Sequence, residues 1–327
     1  MSTLTRQAAL QHWLLTQFSE IPQLEPASGD ASFRRYWRLQ VQGISHIVVD
    51  SPPATENNAR FIALAAVLRT LGLNTPQVLA ADLEQGFLLL TDLGRATYLD
   101  VLTADTADAL YHTAIDALLR LQQAAVPADL PIYDQALLER ELALFEHWLV
   151  AEYLQLAMPT ALFADTSTLL IDNALAQPRV WVHRDYHSRN LIYSDTENPG
   201  VVDFQDAVAG PVTYDLVSLL RDCYIDWPPA QVAHWQAYYV EQAIAAGILE
   251  PSASAYFSRW FDLMGMQRHL KAAGIFARLA KRDGKPGYLQ DLPRTLGYVQ
   301  TVAAQYPEFA DLGAYLSEQI MPRLVQP

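Results

Sequence analysis

A short polar segment interrupts a long helical region, and this interruption constrains the fold more than any other feature of the sequence. Residues 179–182 (RVWV) read as a short strand, and the polar loop 183–190 (HRDYHSRN) follows directly. The runs at 191–193 and 200–202 predict a hairpin. Strands set inside a helical domain need a rigid frame, so we expect the polar side chains of this segment to be held in fixed positions.

The rest of the sequence shows two different patterns of predicted secondary structure. In about the first 90 residues, the patterns predict helices at 4–19 and 59–71 and strands at 33–39, 45–50, 78–81 and 86–90. After residue 94, helices are predicted at 105–124, 134–157, 167–176, 211–225, 229–246, 251–282 and 299–322. The fold class is therefore α+β, with a strand-rich first domain and a mostly helical second one.

Composition excludes several classes of protein. The chain has 327 residues, of which 51% are hydrophobic, and its net charge is -14. That acidity argues against nucleic-acid and anionic-lipid partners, and no obligate protein partner is evident. A single cysteine forms no internal disulfide, and no Cys/His cluster has the spacing of a zinc site. The first residues lack the plan of a signal peptide, so we expect a soluble, cytoplasmic protein.

The polar segment carries the residue types that phosphoryl transfer from ATP requires. A carboxylate must take the proton of the attacking hydroxyl, and hard oxygen ligands must hold Mg²⁺ on the phosphates. Asp185 and Asn190 share one loop in the H-R-D-x-x-x-x-N pattern, and Asp203 begins a D-F-x triplet after the hairpin. A hairpin between Asn190 and Asp203 would bring them together as ligands of one cation. An accidental polar loop is the alternative, but the joint spacing disfavours it.

These motifs resemble those of the protein-kinase-like superfamily, in its small-molecule branch of aminoglycoside and choline kinases. The matching residues are His183, Asp185, His187, Asn190, Asp203 and the Tyr214-Asp215-Leu216 triplet. The resemblance implies a bilobal fold, with residues 1–91 as the nucleotide-binding lobe and 92–327 as the catalytic and substrate-binding lobe. It also implies that adenine hydrogen-bonds the connector between the lobes, at Thr91 to Leu93.

Two departures from the superfamily pattern affect the ATP site. The glycine-rich loop is reduced to residues 28–32 (SGDAS), which leaves Gly29 and Ser32 as candidate ATP-binding residues. The chain has three lysines, all after residue 270, so the first lobe lacks the lysine that normally pairs with phosphate. Arg34 and Arg35 are the nearest replacement cations, unless they and Arg38 are solvated strand charges.

Glu56 is a candidate partner for one of these arginines. The equal alternative is a carboxylate favoured at the start of a helix by the helix dipole.

A narrower resemblance is to the bacterial N-acetylmuramate/N-acetylglucosamine anomeric kinases. It rests on the segments SGDASFRRYWR, VVDSPP, FLLLTDLG, HRDYHSRN, VDFQDA and MQRHLKAAGIFARL. The resemblance implies ATP- and Mg²⁺-dependent phosphorylation of the C1 hydroxyl of these sugars to the α-1-phosphate. It further implies a role in recycling cell-wall sugars.

Each residue of the catalytic segment has an expected role. Asp185 is the expected catalytic base, and Asn190 and Asp203 are the expected Mg²⁺ ligands. Arg184 either has the role of the matching residue in the family's loop or braces the loop through a buried ion pair, and we favour bracing. We expect His183 and His187 to hydrogen-bond the loop, and Asp215 to cap its helix and steady the loop.

The candidate sugar-binding residues are His187, Asp206, Arg268 and Lys271. Two roles are equally open for Asp206: it binds sugar hydroxyls, or it caps a turn. Arg268 and Lys271 lie three apart on one helical face, which would suit the lactyl carboxylate of N-acetylmuramate. The alternative for both is a solvated helix face. We expect Trp181, Trp227 and Trp260 to be core residues rather than sugar-stacking platforms.

Two other functions compete with the sugar kinase. One is a kinase of another small hydroxylated molecule, such as an aminoglycoside, an amino alcohol or a different sugar. The other is a nucleotide-binding pseudokinase, suggested by the missing lysine but disfavoured because the base and both metal ligands are present. A protein kinase is disfavoured because residues 206–215 are too few for a long activation loop.

Overall fold

An antiparallel sheet of five strands forms the first part of the protein. The computed structural model describes residues 3–20, 23–28 and 34–324. The strands are β1 (Glu25–Ser28), β2 (Arg35–Val41), β3 (Ile44–Asp50), β4 (Val78–Asp82) and β5 (Phe87–Thr91), in the sheet order β1-β2-β3-β5-β4. Two helices accompany them, α1 (Thr3–Gln17) and α2 (Asn58–Thr70).

Alternation along the strands decides which side chains meet α1. In β2 the odd-numbered positions Trp37 and Leu39 face the same cluster as Val48 of β3 and Phe87 and Leu89 of β5. Leu10, Trp13 and Leu14 of α1 complete this cluster, in which most side chains are almost fully buried. The even-numbered residues of β2 therefore lie on the opposite face of the sheet.

The two-strand ribbon after the catalytic loop groups with this sheet. The contacts within the chain divide it into an N-terminal unit, Met1–Thr97 with Leu191–Gln205, and a C-terminal unit, Tyr98–Asn190 with Asp206–Pro327. The ribbon pairs β7 (Leu191–Ile192) with β8 (Gly200–Val201), and Gly200 also bridges to Asn74. The sequence-based boundary between residues 91 and 92 falls shortly before the end of the first segment.

The C-terminal unit is mainly helical. Its helices are α3 (Tyr98–Val101), α4 (Ala107–Gln123), α5 (Gln135–Leu144), α6 (Thr160–Leu175), α7 (Tyr214–Leu220), α8 (Pro229–Ala245), α9 (Ser254–Lys281), α10 (Leu292–Ala303), α11 (Ala310–Tyr315) and α12 (Met321–Leu324). Shorter π- and 3₁₀-helical turns occupy Phe145–Tyr153, Pro251–Ala253, Pro286–Asp291, Pro307–Phe309 and Leu316–Ile320. A second ribbon pairs β6 (Arg179–Val182) with β9 (Val208–Pro211).

The long helix α9 packs closely against the end of α5. A Cβ placed on Gly274 of α9 would lie 2.3 Å from the carbonyl carbon of Leu144 and 2.6 Å from the backbone nitrogen of Phe145. Leu144 is the last residue of α5, and the π-helical turn begins at Phe145. Only glycine allows the two backbones to approach this closely, so Gly274 sets the depth at which α9 lies in the unit.

Several sequence predictions of elements need correction. A single helix over 299–322 is wrong, because α10 ends at Ala303 and a 3₁₀ turn begins at Pro307, which lacks the N–H that a continuing helix needs. The helix predicted over 211–225 is confined to Tyr214–Leu220. The strands β1 (EPAS) and β9 (VAGP) were not predicted, because each contains proline and few of the β-branched or aromatic residues that favour strands.

The α+β class predicted from the sequence is confirmed by the antiparallel sheet and the mostly helical remainder of the chain. Among the described residues, none of the helices combines the length and the apolar character of a membrane span.

Replacing Gly274 with alanine is expected to destabilise the protein by about 1–3 kcal/mol, because the added methyl group pushes α9 away from the backbone of α5. Gly297→Ala is the matched control: this glycine also lies within a helix, but nothing lies within 4 Å of the point that an added Cβ would occupy. The control should be neutral or stabilising by up to about 1 kcal/mol. Urea denaturation measures both variants, and equal effects would contradict the close-packing role of Gly274.

Candidate active site

The loop 183–190 is held at its start by a buried carboxylate. Asp215, in the first turn of α7, accepts hydrogen bonds from the backbone N–H groups of His183 (2.6 Å) and Arg184 (2.9 Å). Its burial raises the pKa of the Asp215 carboxyl to about 7, although the two N–H donors act in the opposite direction. The expected steadying of the loop by Asp215 is thus confirmed, whereas the N-cap position of α7 belongs to Thr213.

A second carboxylate holds the other end of the loop. Asp222 lies just beyond α7, and its Oδ2 accepts hydrogen bonds from the backbone N–H (2.9 Å) and the hydroxyl (2.5 Å) of Ser188. At the first of these anchors, Arg184 adopts a φ of 78°, in the left-handed region that non-glycine residues seldom occupy. The loop is therefore fixed at both ends by α7 and its C-terminal extension, and carries local backbone strain.

Asp185 and Asn190 are joined within this loop. The side-chain amide of Asn190 donates a hydrogen bond to the backbone carbonyl of Asp185 at 3.0 Å, and the backbone N–H of His187 donates to the same carbonyl at 3.1 Å. With its nitrogen committed to the loop, the atom of Asn190 suited to a hard cation is Oδ1. Asp203 follows the β7–β8 ribbon and belongs to the N-terminal unit. Its sharing of one cation with Asn190 stays a prediction.

Glu141 of α5 is the central anion of a buried network in the C-terminal unit. Its carboxylate forms ion pairs with Arg184 and with Lys271 of α9, the latter at 3.0 Å, and accepts a hydrogen bond from Tyr133. Lys271 also donates to the Tyr214 hydroxyl at 2.9 Å. The ion pair with Glu141 confirms that Arg184 braces the loop. Buried charges need such partners, because an unpaired charge away from water is costly.

Positive charge surrounds Asp185. Burial alone would raise the pKa of its carboxyl, but Lys271, Arg184 and Arg268 outweigh burial and hold that pKa below its ordinary value. Burial lowers the pKa of the His187 imidazole. Asp185 is therefore an ionised proton acceptor near neutral pH, while His187 is a neutral neighbour.

Arg268 and Lys271 are buried, so the alternative of a solvated helix face is wrong for both. Arg268 lies beside the Cys223 thiol, with Nη1 3.7 Å from Sγ. Among the described residues, neither Nε of Arg268 nor Nδ1 of His187 has a hydrogen-bond partner. Buried polar atoms are nearly always paired in proteins, so these two atoms mark hydrogen-bonding capacity suited to a ligand.

Asp203 occupies a strained position in the N-terminal unit. Its φ is 63°, its side chain is exposed, and Gln205 Nε2 donates to its Oδ1 at 2.6 Å. The next residue, Phe204, is buried and stacks on Phe61 of α2 with ring centroids 5.0 Å apart. This aromatic contact anchors the D-F-x triplet to α2 and so fixes the backbone from which the Asp203 carboxylate projects.

Arg34 supplies a buried cation in the same unit. Its guanidinium pairs with Glu56 at 2.9 Å, donates to the Ser51 hydroxyl at 3.2 Å, and lies 5.3 Å from the centroid of the Phe61 ring. Thus Glu56 does partner one of the arginines. Burial raises the pKa of the adjacent Tyr36 to about 12, with Arg34 lowering it and Asp203 raising it, so all three lie in one neighbourhood.

The other predicted ATP-site residues have different surroundings. Arg35 is exposed, whereas Arg38 is buried and pairs with Asp92 of the connector. The backbone N–H of Thr91 donates to the Gln77 carbonyl at 3.0 Å. Leu93 packs beside Gly200 of the ribbon, with Cδ1 3.0 Å from where a Cβ would lie. Gly29 and Ser32 lie outside the described residues.

Asp206 and the three tryptophans complete the predicted set. The Asp206 side chain is exposed, and its backbone carbonyl accepts a hydrogen bond from Arg184 at 3.5 Å. Trp181 is buried and donates to the Ala125 carbonyl, which confirms a core role. Trp227 is half-buried and donates to the Tyr111 hydroxyl, and Trp260 is also half-buried.

Glu141 and Asp222 are functional residues that the sequence analysis missed. Glu141 had a detectable signal: it falls on the apolar stripe formed by Leu138 and Leu142 of α5 and by Phe145 just after it, where a charged residue implies a buried partner. Asp222 had no comparable signal, since it follows the end of a short helix and resembles any surface carboxylate.

Comparison with known proteins places this geometry in a family. The model of the phosphotransferase enzyme family matches residues 23–249, and the chain belongs to that family. It is therefore a phosphate-transferring enzyme. Relatives named N-acetylmuramate/N-acetylglucosamine kinase are similar to this chain over most of its length. Those of Pseudomonas putida and Pseudomonas aeruginosa are 51% and 48% identical, with 92% of this chain and 90% of each relative covered. That of Neisseria meningitidis is 42% identical, with 96% of both chains covered.

Solved structures show the same fold at low sequence identity. An aminoglycoside phosphotransferase with bound ADP has a TM-score of 0.61 at 16% identity and covers 89% of this chain and 97% of its own. Choline kinase from Streptococcus pneumoniae has a TM-score of 0.65 at 12% identity, with coverage of 91% and 99%. The protein-kinase-like fold predicted from the catalytic-loop motifs is thereby confirmed.

Asp215→Asn is expected to loosen the catalytic loop and to destabilise the protein by about 1–3 kcal/mol. Asparagine has one acceptor oxygen, so its amide group would face one of the two N–H donors that Asp215 now accepts. Hydrogen exchange at His183 and Arg184, together with urea denaturation, measures the change. Asp226→Asn, at an exposed carboxylate bonded to Tyr298, is the control and should leave exchange in the loop unaltered. Unchanged protection in Asp215→Asn would contradict the anchoring role.

Proposed function

We propose that the protein is an ATP-dependent kinase that phosphorylates the anomeric C1 hydroxyl of N-acetylmuramate and N-acetylglucosamine. The relatives that carry these sugars in their names, at 42 to 51% identity, support the choice of substrate. The α-1-phosphate product and a role in recycling cell-wall sugars extend the resemblance seen in the sequence. A cytoplasmic location stays a prediction from the sequence.

The position of Asp185 carries the proposal, because it lies on a loop that Asp215 and Asp222 anchor. Nearby cationic side chains also hold the pKa of its carboxyl below the ordinary value. In the proposed reaction, Asp185 takes the proton of the C1 hydroxyl while the sugar oxygen forms a bond to the γ-phosphorus of ATP. The bond from that phosphorus to the β–γ bridging oxygen breaks, and ADP leaves. An anomeric hydroxyl is more acidic than an ordinary alcohol, so a carboxylate of low pKa is a sufficient acceptor. Because no bond at C1 breaks, the configuration of the sugar is retained.

The residues present fit a magnesium-bound nucleotide. Asn190 Oδ1 and the Asp203 carboxylate are hard oxygen donors of the kind that Mg²⁺ takes, and the ion neutralises phosphate charge when bound. We assign Arg34 to the task of the missing lysine, since it is a buried cation paired with Glu56 in the neighbourhood of Asp203. Arg35, which is exposed, would contribute through longer-range charge, and Thr91 and Leu93 would contact adenine.

The same surroundings favour a neutral or anionic acceptor over a cationic one. Aminoglycosides and choline carry positive charge, which Arg268 and Lys271 beside Asp185 would repel. A carboxylate-bearing sugar such as N-acetylmuramate would instead find a buried guanidinium with spare hydrogen-bonding capacity at Arg268 Nε. The kinase of a cationic small molecule is therefore the less well supported alternative.

Asp185→Asn is expected to abolish phosphate transfer while ATP still binds, because the amide cannot accept the hydroxyl proton. Phosphorus NMR with a panel of sugars, ATP and Mg²⁺ reports both turnover and the site of attachment. Asp195→Asn, at an exposed carboxylate of the β7–β8 ribbon, is the control and should keep full activity. Substantial turnover by Asp185→Asn would refute the assigned base.

Arg268→Gln is expected to lower kcat/KM for N-acetylmuramate at least about tenfold more than for N-acetylglucosamine. Only N-acetylmuramate has a carboxylate, so only this sugar would lose an ionic hydrogen bond to the guanidinium. The ratio of the two values is the readout, because a general disturbance of the site lowers both together. Arg259→Gln on the same helix, which removes an ion pair with Glu308, should leave the ratio unchanged. Equal losses on the two sugars would remove the carboxylate role of Arg268.

A further inference from the structure

A second group of ligand-type side chains lies on the surface of the C-terminal unit, between α4 and α8. Asp108 and His112 are four residues apart on α4 and so share one face of that helix. His234 reaches the same place from α8. One ligand atom from each of the three lies within 4.8 Å of the others. None of them belongs to the catalytic loop or to the network around Glu141.

The spacing of these atoms is close to that of a metal site. Asp108 Oδ2 lies 3.5 Å from His112 Nδ1, and Asp108 Oδ1 lies 3.5 Å from His234 Nε2. Bond lengths of about 2.0–2.1 Å place neighbouring ligands of a tetrahedral zinc ion about 3.3 Å apart. The two imidazole rings meet edge to face, with centroids 5.7 Å apart. Because the His234 side chain is 60% exposed, it can rotate to close the remaining distance without disturbing the core.

Neighbouring side chains already orient two of the three groups. The indole N–H of the buried Trp235 donates to Asp108 Oδ1 at 3.0 Å, and the Tyr238 ring packs edge to face on His112 with centroids 4.2 Å apart. The Tyr238 hydroxyl is in turn held by Asp116 at 2.8 Å. Outer partners of this kind fix ligand orientation and reduce the ordering that binding requires.

Helix electrostatics alone do not account for the arrangement. An aspartate in the first turn of a helix is favoured by the dipole, and a contact with a histidine four residues later is common. Neither effect explains why a second imidazole, from a different helix, converges on the other oxygen of the same carboxylate. The two helices that carry the ligands lie more than a hundred residues apart, so no short spacing reveals the group in the sequence.

We propose that Asp108, His112 and His234 bind a divalent transition-metal ion of the zinc class, with water in the remaining positions. Two imidazole nitrogens and one carboxylate suit zinc, whereas Mg²⁺ takes oxygen ligands almost exclusively. The ion would join α4 to α8 and thereby stabilise the folded C-terminal unit. It is distinct from the magnesium ion assigned to the nucleotide.

Calorimetric titration of the full chain with zinc chloride, in excess Mg²⁺ and without nucleotide, tests the proposal. We expect one zinc ion per chain and a zinc-dependent rise in Tm, since a ligand that binds only the folded state stabilises it. His112→Ala and His234→Ala should each weaken zinc binding at least about tenfold. His12→Ala, at an exposed histidine of α1, is the control and should bind zinc as the unmodified chain does.

The stability of the variants without metal keeps the test decisive. His234 is exposed, so His234→Ala should keep the Tm of the metal-free protein and lose only its rise with zinc. Cobalt(II) in place of zinc should give visible absorption that both histidine variants lose. The proposal is overturned if the unmodified chain binds no zinc, or if its zinc affinity survives in both His112→Ala and His234→Ala.

Discussion

The position of the catalytic loop depends on the hydrogen bonds that the Asp215 carboxylate accepts. This carboxylate accepts the backbone N–H groups of His183 and Arg184, directly before the residue assigned as the base. A backbone anchor sets the position of the loop whatever side chains the loop carries. Because burial makes this carboxyl costly to ionise, the protein spends stability at this point to hold the loop in place.

Charge balance is the second constraint on the catalytic segment. Arg184 is a half-buried cation and Lys271 a buried one, and each would be costly without Glu141 between them. Their charge in turn holds the pKa of Asp185 below its ordinary value, although desolvation acts in the opposite direction. The pKa of the base is therefore set partly by residues of α5 and α9, which lie outside its loop. Its protonation depends on the whole network.

The chemistry of the site was more predictable than its surroundings. The spacing of Asp185, Asn190 and Asp203 sufficed for the phosphotransferase class, because transfer chemistry dictates residue types on one short stretch of chain. Partners from distant elements left weaker signals in the sequence. Glu141 was not singled out although it lies among apolar positions of its helix, and the helical pattern left Arg268 open to a solvated role. Helix ends were misjudged where Pro307 and short strands decide the local structure, since a window of hydrophobic periodicity averages over them.

The N-terminal unit is assembled from two separate stretches of sequence, because the segment Leu191–Gln205, which contains the β7–β8 ribbon, groups with Met1–Thr97. A gene fragment that stops at residue 97 would therefore encode an unfinished module. It would lack the bridge from Gly200 to Asn74 and the Phe204 ring that stacks on α2. Recombination between relatives would have to exchange both stretches together to transfer a complete N-terminal unit. The two units are separate as folded structures, but their sequences alternate along the chain.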